Sequence, residues 1–229
     1  MENANILVVE DDVDINRLLC TILEGAGYTC RAAFSGSEAL LWAEKYDYDL
    51  VVLDLMLPGL TGEEFIVQVR RERTMPIIVA SAKVGVSDRV NVLKLGADDF
   101  IPKPFDNAEV LARVEAQLRR SRQFSAPCSD ALTAGAMTLE IDSRSLSIGG
   151  QEISLTSREF DILALLMRNP RRAFSRAQIY EAVWGEEFIG DDNTVNVHVS
   201  NLRSKLAQVD PDTAYIKTVW GIGFKFSLS

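Results

Sequence analysis

Through the first 120 residues, short apolar runs alternate with stretches whose apolar positions recur at helical spacing. Ile6–Val9, Tyr28–Ala33, Leu50–Leu53, Ile77–Ala80 and Asp99–Ile101 predict strands. Helical periodicity lies between them, near 13–25, 36–45, 62–73, 87–95 and 106–120. Leu50-Val-Val-Leu53 and Ile77-Ile-Val-Ala80 are apolar on both faces, as central strands of a helix-covered parallel sheet must be. Five β-α repeats predict a doubly wound α/β domain over 1–120, a (βα)5 parallel sheet with one functional edge.

The pattern then breaks. Residues 121–134 (SRQFSAPCSDALTA) are Ser/Ala-rich without sustained periodicity and read as a linker. From 135 to 229 a smaller α+β domain is expected. MTLEID, SLSI and QEISL alternate around the turn signals Asp142-Ser and Gly149-Gly150 and predict a small antiparallel sheet. Thr156-Ser-Arg-Glu159 and Ser175-Arg-Ala-Gln178 are capping boxes, each opening an apolar stripe. Residues 193–206 are ambiguous at first, because V-N-V-H-V alternates like a strand. Over the whole window, Val195, Val199, Leu202 and Leu206 recur at i, i+4, i+7 and i+11, which is helical; Asp191, Asp192 and Asn193 would cap the start. Tyr215–Phe226, with Gly221-Ile-Gly223 inside it, reads as a hairpin.

The chain's 229 residues carry 24 basic and 33 acidic side chains, net −9. The surplus is uneven: 13 basic against 20 acidic in residues 1–120. A globally basic nucleic-acid binder is excluded, a local basic patch is not. Cys20, Cys30 and Cys128 show no zinc or redox spacing. Cys20 lies on an apolar helical stripe and reads as a buried free thiol. MENANILVVEDD has no basic leader and no long apolar run, and no segment approaches the roughly 20 apolar residues of a membrane span. A cytoplasmic protein with no membrane partner is expected.

Ligands of open parallel sheets bind at the carboxyl ends of the strands. Those ends deliver Glu10-Asp11-Asp12, Asp54, Ser81-Ala82 and Pro102-Lys103-Pro104. Clustered carboxylates call for a hard divalent cation, and this oxygen set suits Mg²⁺. With the metal and Lys103 neutralising the pocket, Asp54 can act as an oxygen nucleophile toward a phosphoryl group, and Ser81 can donate to a phosphoryl oxygen. Acidic residues at strand ends are often mere loop solubilisers, and a lysine between prolines is usually a turn. All four features in order within one domain outweigh that reading.

The segments ILVVEDD, LVVLDLMLPGLTG, PIIVASA and LGADDFIPKPF resemble a response-regulator receiver domain across residues 5–120. LTSREFDILALL, NTVNVHVSNLRSKL and YIKTVWGIGFKF resemble the winged helix-turn-helix of the OmpR/PhoB subfamily. The TVWGIGF wing is similar to that of vancomycin-resistance regulators. The resemblance implies Asp54 as phosphoacceptor. It implies Glu10, Asp11, Asp54 and the Met56 carbonyl around Mg²⁺, Lys103 on the phosphoryl group, and a cis Lys103–Pro104 bond. Ser81 stands where Thr is more frequent and keeps the hydroxyl. Phe100 stands where Tyr is common, so a switch by ring rotation keeps its ring and loses any hydrogen bond from it.

On the 193–206 helix, Asn193, Val197, Ser200, Asn201 and Ser204 lie opposite the apolar stripe. A face of small and amide side chains can enter a major groove, where Asn pairs with adenine and Val meets a thymine methyl. Thr194, His198, Arg203 and Lys205 lie on the flanks, where phosphates would pass. His198, the single histidine, reads as a phosphate contact rather than a base. Relatives often carry Arg where this chain has Ser200, Asn201 and Trp220, so a thin cationic supply and a shallow salt slope are expected. Trp220 is counted with the DNA-facing residues: it can pack at the wing base, the expected role, or lie over sugar in the minor groove.

Arg89, Asp98, Asp99, Glu109, Arg113 and Arg120 place charges of both signs on one side of the first domain, where the family pairs them across a two-fold axis. A self-complementary face of this kind suits a homodimer formed on phosphorylation. The expected partners are a sensor histidine kinase, promoter DNA, a second copy and RNA polymerase, and the protein is a regulator rather than an enzyme. An aspartate-nucleophile phosphohydrolase would place a second Asp two residues after the first, where this chain has Met56. A winged domain that binds protein instead of DNA is the third reading.

Overall fold

The computed structural model describes residues 4–82, 85–123, 131–185, 188 and 193–228. The chain divides into two compact units, Met1–Arg120 and Ser121–Ser229.

In the first unit, β1 (Asn5–Val9), β2 (Thr29–Ala33), β3 (Leu50–Leu53), β4 (Ile77–Ser81) and β5 (Asp99–Pro102) form one sheet in the order β2-β1-β3-β4-β5. Every pairing is parallel. The connecting helices are α1 (Val13–Gly25), α2 (Gly36–Lys45), α3 (Gly62–Val69), α4 (Val86–Leu95) and α5 (Asn107–Gln123). β3 and β4 are buried along their whole length, as their two-faced apolar runs require. The strand order reverses between β1 and β3, which opens a crevice at their carboxyl ends.

α3 ends at Val69 rather than near 73, because Arg70-Arg-Glu-Arg73 offers no apolar position to bury. The Arg70 guanidinium instead bonds the carbonyls of Gly96 and Met75 and the Asp98 carboxylate, each at 2.8 Å. α5 runs on to Gln123, past the expected end at 120.

In the second unit, β6 (Ala131–Ala134), β7 (Met137–Glu140), β8 (Ser145–Ile148) and β9 (Gln151–Ile153) make an antiparallel meander. Then come α6 (Ser157–Arg168), α7 (Arg176–Trp184), α8 (Thr194–Val209) and the hairpin of β10 (Ile216–Val219) with β11 (Gly223–Phe226). The stretch 121–134 is therefore shorter as a linker than its composition suggests. Its first three residues complete α5, its last four are β6, and 124–130, with Cys128, lie outside the described residues. Ala131-Leu-Thr-Ala134 is a weak strand signal, and its register comes from pairing across Gly135 with β7.

Both capping boxes form, Thr156 with Glu159 and Ser175 with Gln178. α6 packs on α7 and α8, and Phe160, Ile162, Leu163 and Leu166 join Val195, Val199, Leu202 and Leu206 in one core. Asn193 does not cap α8 with its side chain; its Oδ1 accepts from Asn196 instead, at 3.0 Å. Asp191 and Asp192 lie outside the described residues. Among the described residues no helix is long and apolar enough to cross a membrane.

Candidate functional site

At the carboxyl edge of the parallel sheet, β1 delivers Glu10 and Asp11 and β3 delivers Asp54; their carboxylate oxygens lie within 4.8 Å of one another. β5 delivers Lys103, whose Nζ donates to Glu10 Oε2 and Asp54 Oδ2, both at 2.6 Å. Burial pushes the Glu10 carboxyl above its ordinary value, against the pull of Lys103. Burial alone would lower the Lys103 ammonium, but hydrogen bonds to Asp54 and Glu10 outweigh it and the net shift is upward. Lys103–Pro104 is cis.

Asp54 Oδ1 accepts from the amides of Leu55 (2.6 Å) and Met56 (3.2 Å), which fixes the carboxylate and leaves Oδ2 facing Lys103. Met56 itself carries an exposed side chain. The loop behind Asp54 closes tightly, since a Cβ on Gly62 would stand 2.4 Å from the Asp54 carbonyl oxygen. Ser81 is buried at the end of β4, and its carbonyl accepts from the Lys103 amide at 2.9 Å. Phe100 is buried on β5, with the Arg89 guanidinium 5.6 Å from its ring centre.

Two residues here do work that strand-end reasoning does not reveal. Asp12 is the N-cap of α1, accepting from the amides of Asp14 and Ile15, so it stands apart from the acid cluster. Asn16 is buried, and its amide nitrogen bonds the carbonyls of Glu10 (3.0 Å) and Ala33 (3.1 Å), pinning the loop that carries Glu10. Cys20 is half-buried rather than buried, and its thiol donates to Asn16 Oδ1 at 3.5 Å.

Of the charges expected on a dimer face, Asp98, Asp99, Glu109 and Arg113 find partners within the chain. Asp98 is fully buried, bridged to Arg70 and accepting from the Ile77 amide at 2.9 Å, so it is a structural acid and not a surface one. Its apolar neighbours in β4 and β5 exclude water, and only an internal cation can hold it there. Asp99, Arg113 and Glu109 form one network: Arg113 reaches both Asp99 oxygens at 3.1 and 3.2 Å and Glu109 at 3.0 Å. The Arg120 side chain lies outside the described residues.

In the second unit the outward face of α8 is narrower than the helical wheel predicts. Asn193, Ser200 and Ser204 are exposed, and Asn196 and Asn201 partly so. Val197 and Thr194 are buried, and His198 is 1% exposed against the Trp184 ring, 5.4 Å between centres. A wheel assumes one neighbour, whereas the first two turns of α8 are enclosed on more than one side. His198 is therefore no phosphate contact. Arg203 is likewise turned inward, donating to the Ile216 carbonyl and the Thr218 hydroxyl at 3.0 Å each, its guanidinium 5.5 Å from the Phe224 ring centre. Burial holds its pKa below the usual guanidinium value. Lys205 is bonded to Glu159 at 2.7 Å and the Ser154 carbonyl at 3.0 Å.

Exposed cations sit elsewhere, among them Arg171 and Arg172 between α6 and α7, Arg176 at the start of α7, and Lys217 on β10. The signal for them was present, since no acidic residue occurs between Arg168 and Glu181. Trp220 does not pack at the wing base: it is 92% exposed at the hairpin tip.

An acid pocket at a parallel-sheet edge, followed by a winged helix, defines a phosphorylation-linked DNA-binding regulator. The chain matches the family described as response regulator receiver domain over residues 6–115, and that described as transcriptional regulatory protein, C terminal, over 150–226. Among curated relatives it is 40% identical to the transcriptional regulatory protein ResD of Bacillus subtilis, covering 98% of this chain and 96% of that one. It is 36% identical to the regulatory protein VanRc of Enterococcus gallinarum, covering 97% and 98%. Among solved structures, the RitR C128S mutant superposes with a TM-score of 0.83 at 28% identity, covering 99% of this chain and 100% of that one. The chain belongs to the OmpR/PhoB family of two-component response regulators.

Proposed function

We propose that Asp54 Oδ2 is the phosphoacceptor of this regulator and that phosphorylation there drives receiver dimerisation and promoter binding. The observation that carries the reading is Lys103 Nζ at 2.6 Å from both Glu10 and Asp54 at the strand-order reversal. The donor is a phosphohistidine of a sensor kinase. Oδ2 attacks phosphorus, the P–N bond breaks, and the imidazole leaves and takes up a proton. Glu10, Asp11, Asp54 and the Met56 carbonyl would hold Mg²⁺, which when bound neutralises the acids and the phosphoryl oxygens. Leu55 and Met56 amides hold the nucleophile's other oxygen still. Lys103, already aimed at Oδ2, transfers a hydrogen bond to the phosphoryl group, and the Ser81 hydroxyl supplies a second.

Charge-assisted bonds of that kind contribute roughly 1.5–3 kcal/mol, enough to shift a two-state population tenfold to a hundredfold. The protein then acts in the cytoplasm as a homodimer, through the side bearing Arg89, Asp99, Glu109 and Arg113, with RNA polymerase as its further partner. The test is incorporation of label from a radiolabelled acyl phosphate with and without Mg²⁺. Wild type should label only with the metal, and Asp54→Asn not at all. Ser81→Ala should label yet dimerise weakly. Labelling of Asp54→Asn at the wild-type rate would sink the assignment.

A further inference from the structure

The tip of the hairpin is apolar and faces solvent. Trp220 is 92% exposed and Ile222 56% exposed, on either side of Gly221. The turn is closed by the Ile222 amide donating to the Val219 carbonyl at 3.0 Å, and Gly221 takes φ +75°, the positive value a type II turn needs at its third position. The tip is also held rigidly from behind. Phe174 and Phe224 exchange both backbone hydrogen bonds, at 2.8 and 2.9 Å, and a Cβ on Gly223 would stand 2.1 Å from the Phe174 carbonyl oxygen. A tryptophan so displayed on a braced turn keeps a large apolar surface in water that nothing within its own hairpin covers.

The surroundings of the tip name its partner. Lys217 and Lys225 stand directly opposite each other across the hairpin, a like-charge pair that destabilises it in isolation. No acidic residue occurs from Tyr215 to Leu228. Arg176 and Asn196 line the cleft beside the tip, so the amide face of α8 and the wing share one surface. That combination fits a polyanion whose grooves can receive an apolar side chain.

We infer that Trp220, with Ile222 beside it, is a wedge that enters the minor groove next to the site read by α8, partly unstacks a base step and bends the duplex. This inference rests on the DNA-binding reading and adds a mode to it. Apolar wedges of this kind kink duplexes by about 20–90°, most readily at flexible TA and CA steps. Base–aromatic stacking is lost on truncation to Ala at a penalty of about tenfold in affinity. The ring carries no charge, so its loss leaves the salt slope in place.

The test uses the full phosphorylated chain and a duplex that wild type selects from a randomised library, end-labelled for energy transfer. Wild type should bend it. Trp220→Ala should bind about tenfold more weakly, with the bend largely gone and the salt slope unchanged, and Trp220→Phe should recover part of both. Replacing the flexible step under the wing by an A-tract should weaken wild type and leave Trp220→Ala indifferent. The exposed position means that the variant keeps the wild-type melting temperature. Equal binding and bending by Trp220→Ala overturns the wedge. So does a variant that binds DNA normally but fails in transcription, which assigns the tip to a protein partner. If wild type selects no duplex, the DNA reading itself falls; if it selects one and leaves it straight, only the wedge does.

Discussion

Lys103 and Arg203 are both long cations placed next to a functional surface, and they behave in opposite ways. Lys103 follows β5, and the strand aims it into the acid pocket, where it bridges Glu10 and Asp54. Arg203 lies on the flank of α8, where the wheel sends it toward a phosphate, yet it turns back to the carbonyl of Ile216. The difference lies in what sets direction. The backbone leading to Lys103 is fixed by the ladder of β5 with β4, and the Lys103 amide itself donates to the Ser81 carbonyl at 2.9 Å. A flexible side chain on a helix flank takes the nearest acceptor, and β10 runs close by. In the receiver, charge serves the site. In the winged unit the cations expected to face DNA are taken up in packing, while exposed ones sit on the loop before α7, at the start of α7 and on the hairpin.

The largest test of the comparison is Lys103→Met. Removing one partner of a buried ion pair leaves uncompensated charge and destabilises by about 3–5 kcal/mol. Here two carboxylates would be left facing each other, so the loss should reach that range in a metal-free buffer. Mg²⁺ should recover part of it by taking over the same oxygens. Urea unfolding in chelator and in Mg²⁺ checks both numbers. No loss in chelator would mean that Lys103 does not hold the pocket together.

That contrast also explains what could be read from the sequence. Glu10, Asp11, Asp54, Ser81 and Lys103 follow from strand ends alone, because alternating β and α elements bring those ends to one edge. The capping boxes and the core stripe of α8 are local signals and are equally readable. What escaped needs tertiary contact: Asp98 buried against Arg70, Val197 and His198 enclosed on the far side of α8, Lys205 drawn to Glu159, and Asn16 bracing Glu10. Each depends on which element packs alongside, and no window of the chain contains that. Arg171, Arg172 and Arg176 were legible as a basic run and fell outside the motif that drew attention.

A smaller effect, about 2–3 kcal/mol, is expected from Arg70→Met, which takes from the buried Asp98 carboxylate the guanidinium bridged to it. The unphosphorylated monomer should lose this stability. The monomer–dimer midpoint of the phosphorylated protein, measured by sedimentation where the variant stays folded, should not move. A selective loss of dimer would return Asp98 to the interface.

Arg203→Ala should cost about 1–2 kcal/mol through two lost hydrogen bonds and the contact with Phe224. Its DNA binding should weaken with no change in salt slope. Lys217→Ala should do the reverse, keeping stability and lowering the slope by about 0.9 per phosphate released. If Arg203→Ala changes the slope as Lys217→Ala does, the division between packing and phosphate-facing cations is wrong.

The smallest expected effect is at the end of α8, where the Tyr215 hydroxyl donates to Asp210 Oδ2 at 2.7 Å. The hydrogen bond from Tyr215, with help from Thr213, holds the Asp210 carboxyl below its ordinary value. Burial of the ring and the same bond push the Tyr215 hydroxyl up to about 12 from about 10. The two shifts act in different windows. A depressed carboxyl stabilises the fold above its ordinary value of 3.8, and that contribution is lost as pH falls through the folded value. A raised phenol contributes fully below pH 10, and the contribution disappears as pH rises from about 10 to about 12. Tyr215→Phe keeps the ring and removes the bond. Its stability should fall slightly at neutral pH and lose less than wild type between pH 10 and 12. The Asp210 carbon resonance should titrate nearer the ordinary carboxylate value. An unchanged Asp210 titration would show that Thr213 alone holds that carboxylate, and that this end of α8 does not depend on the strand leading into the wing.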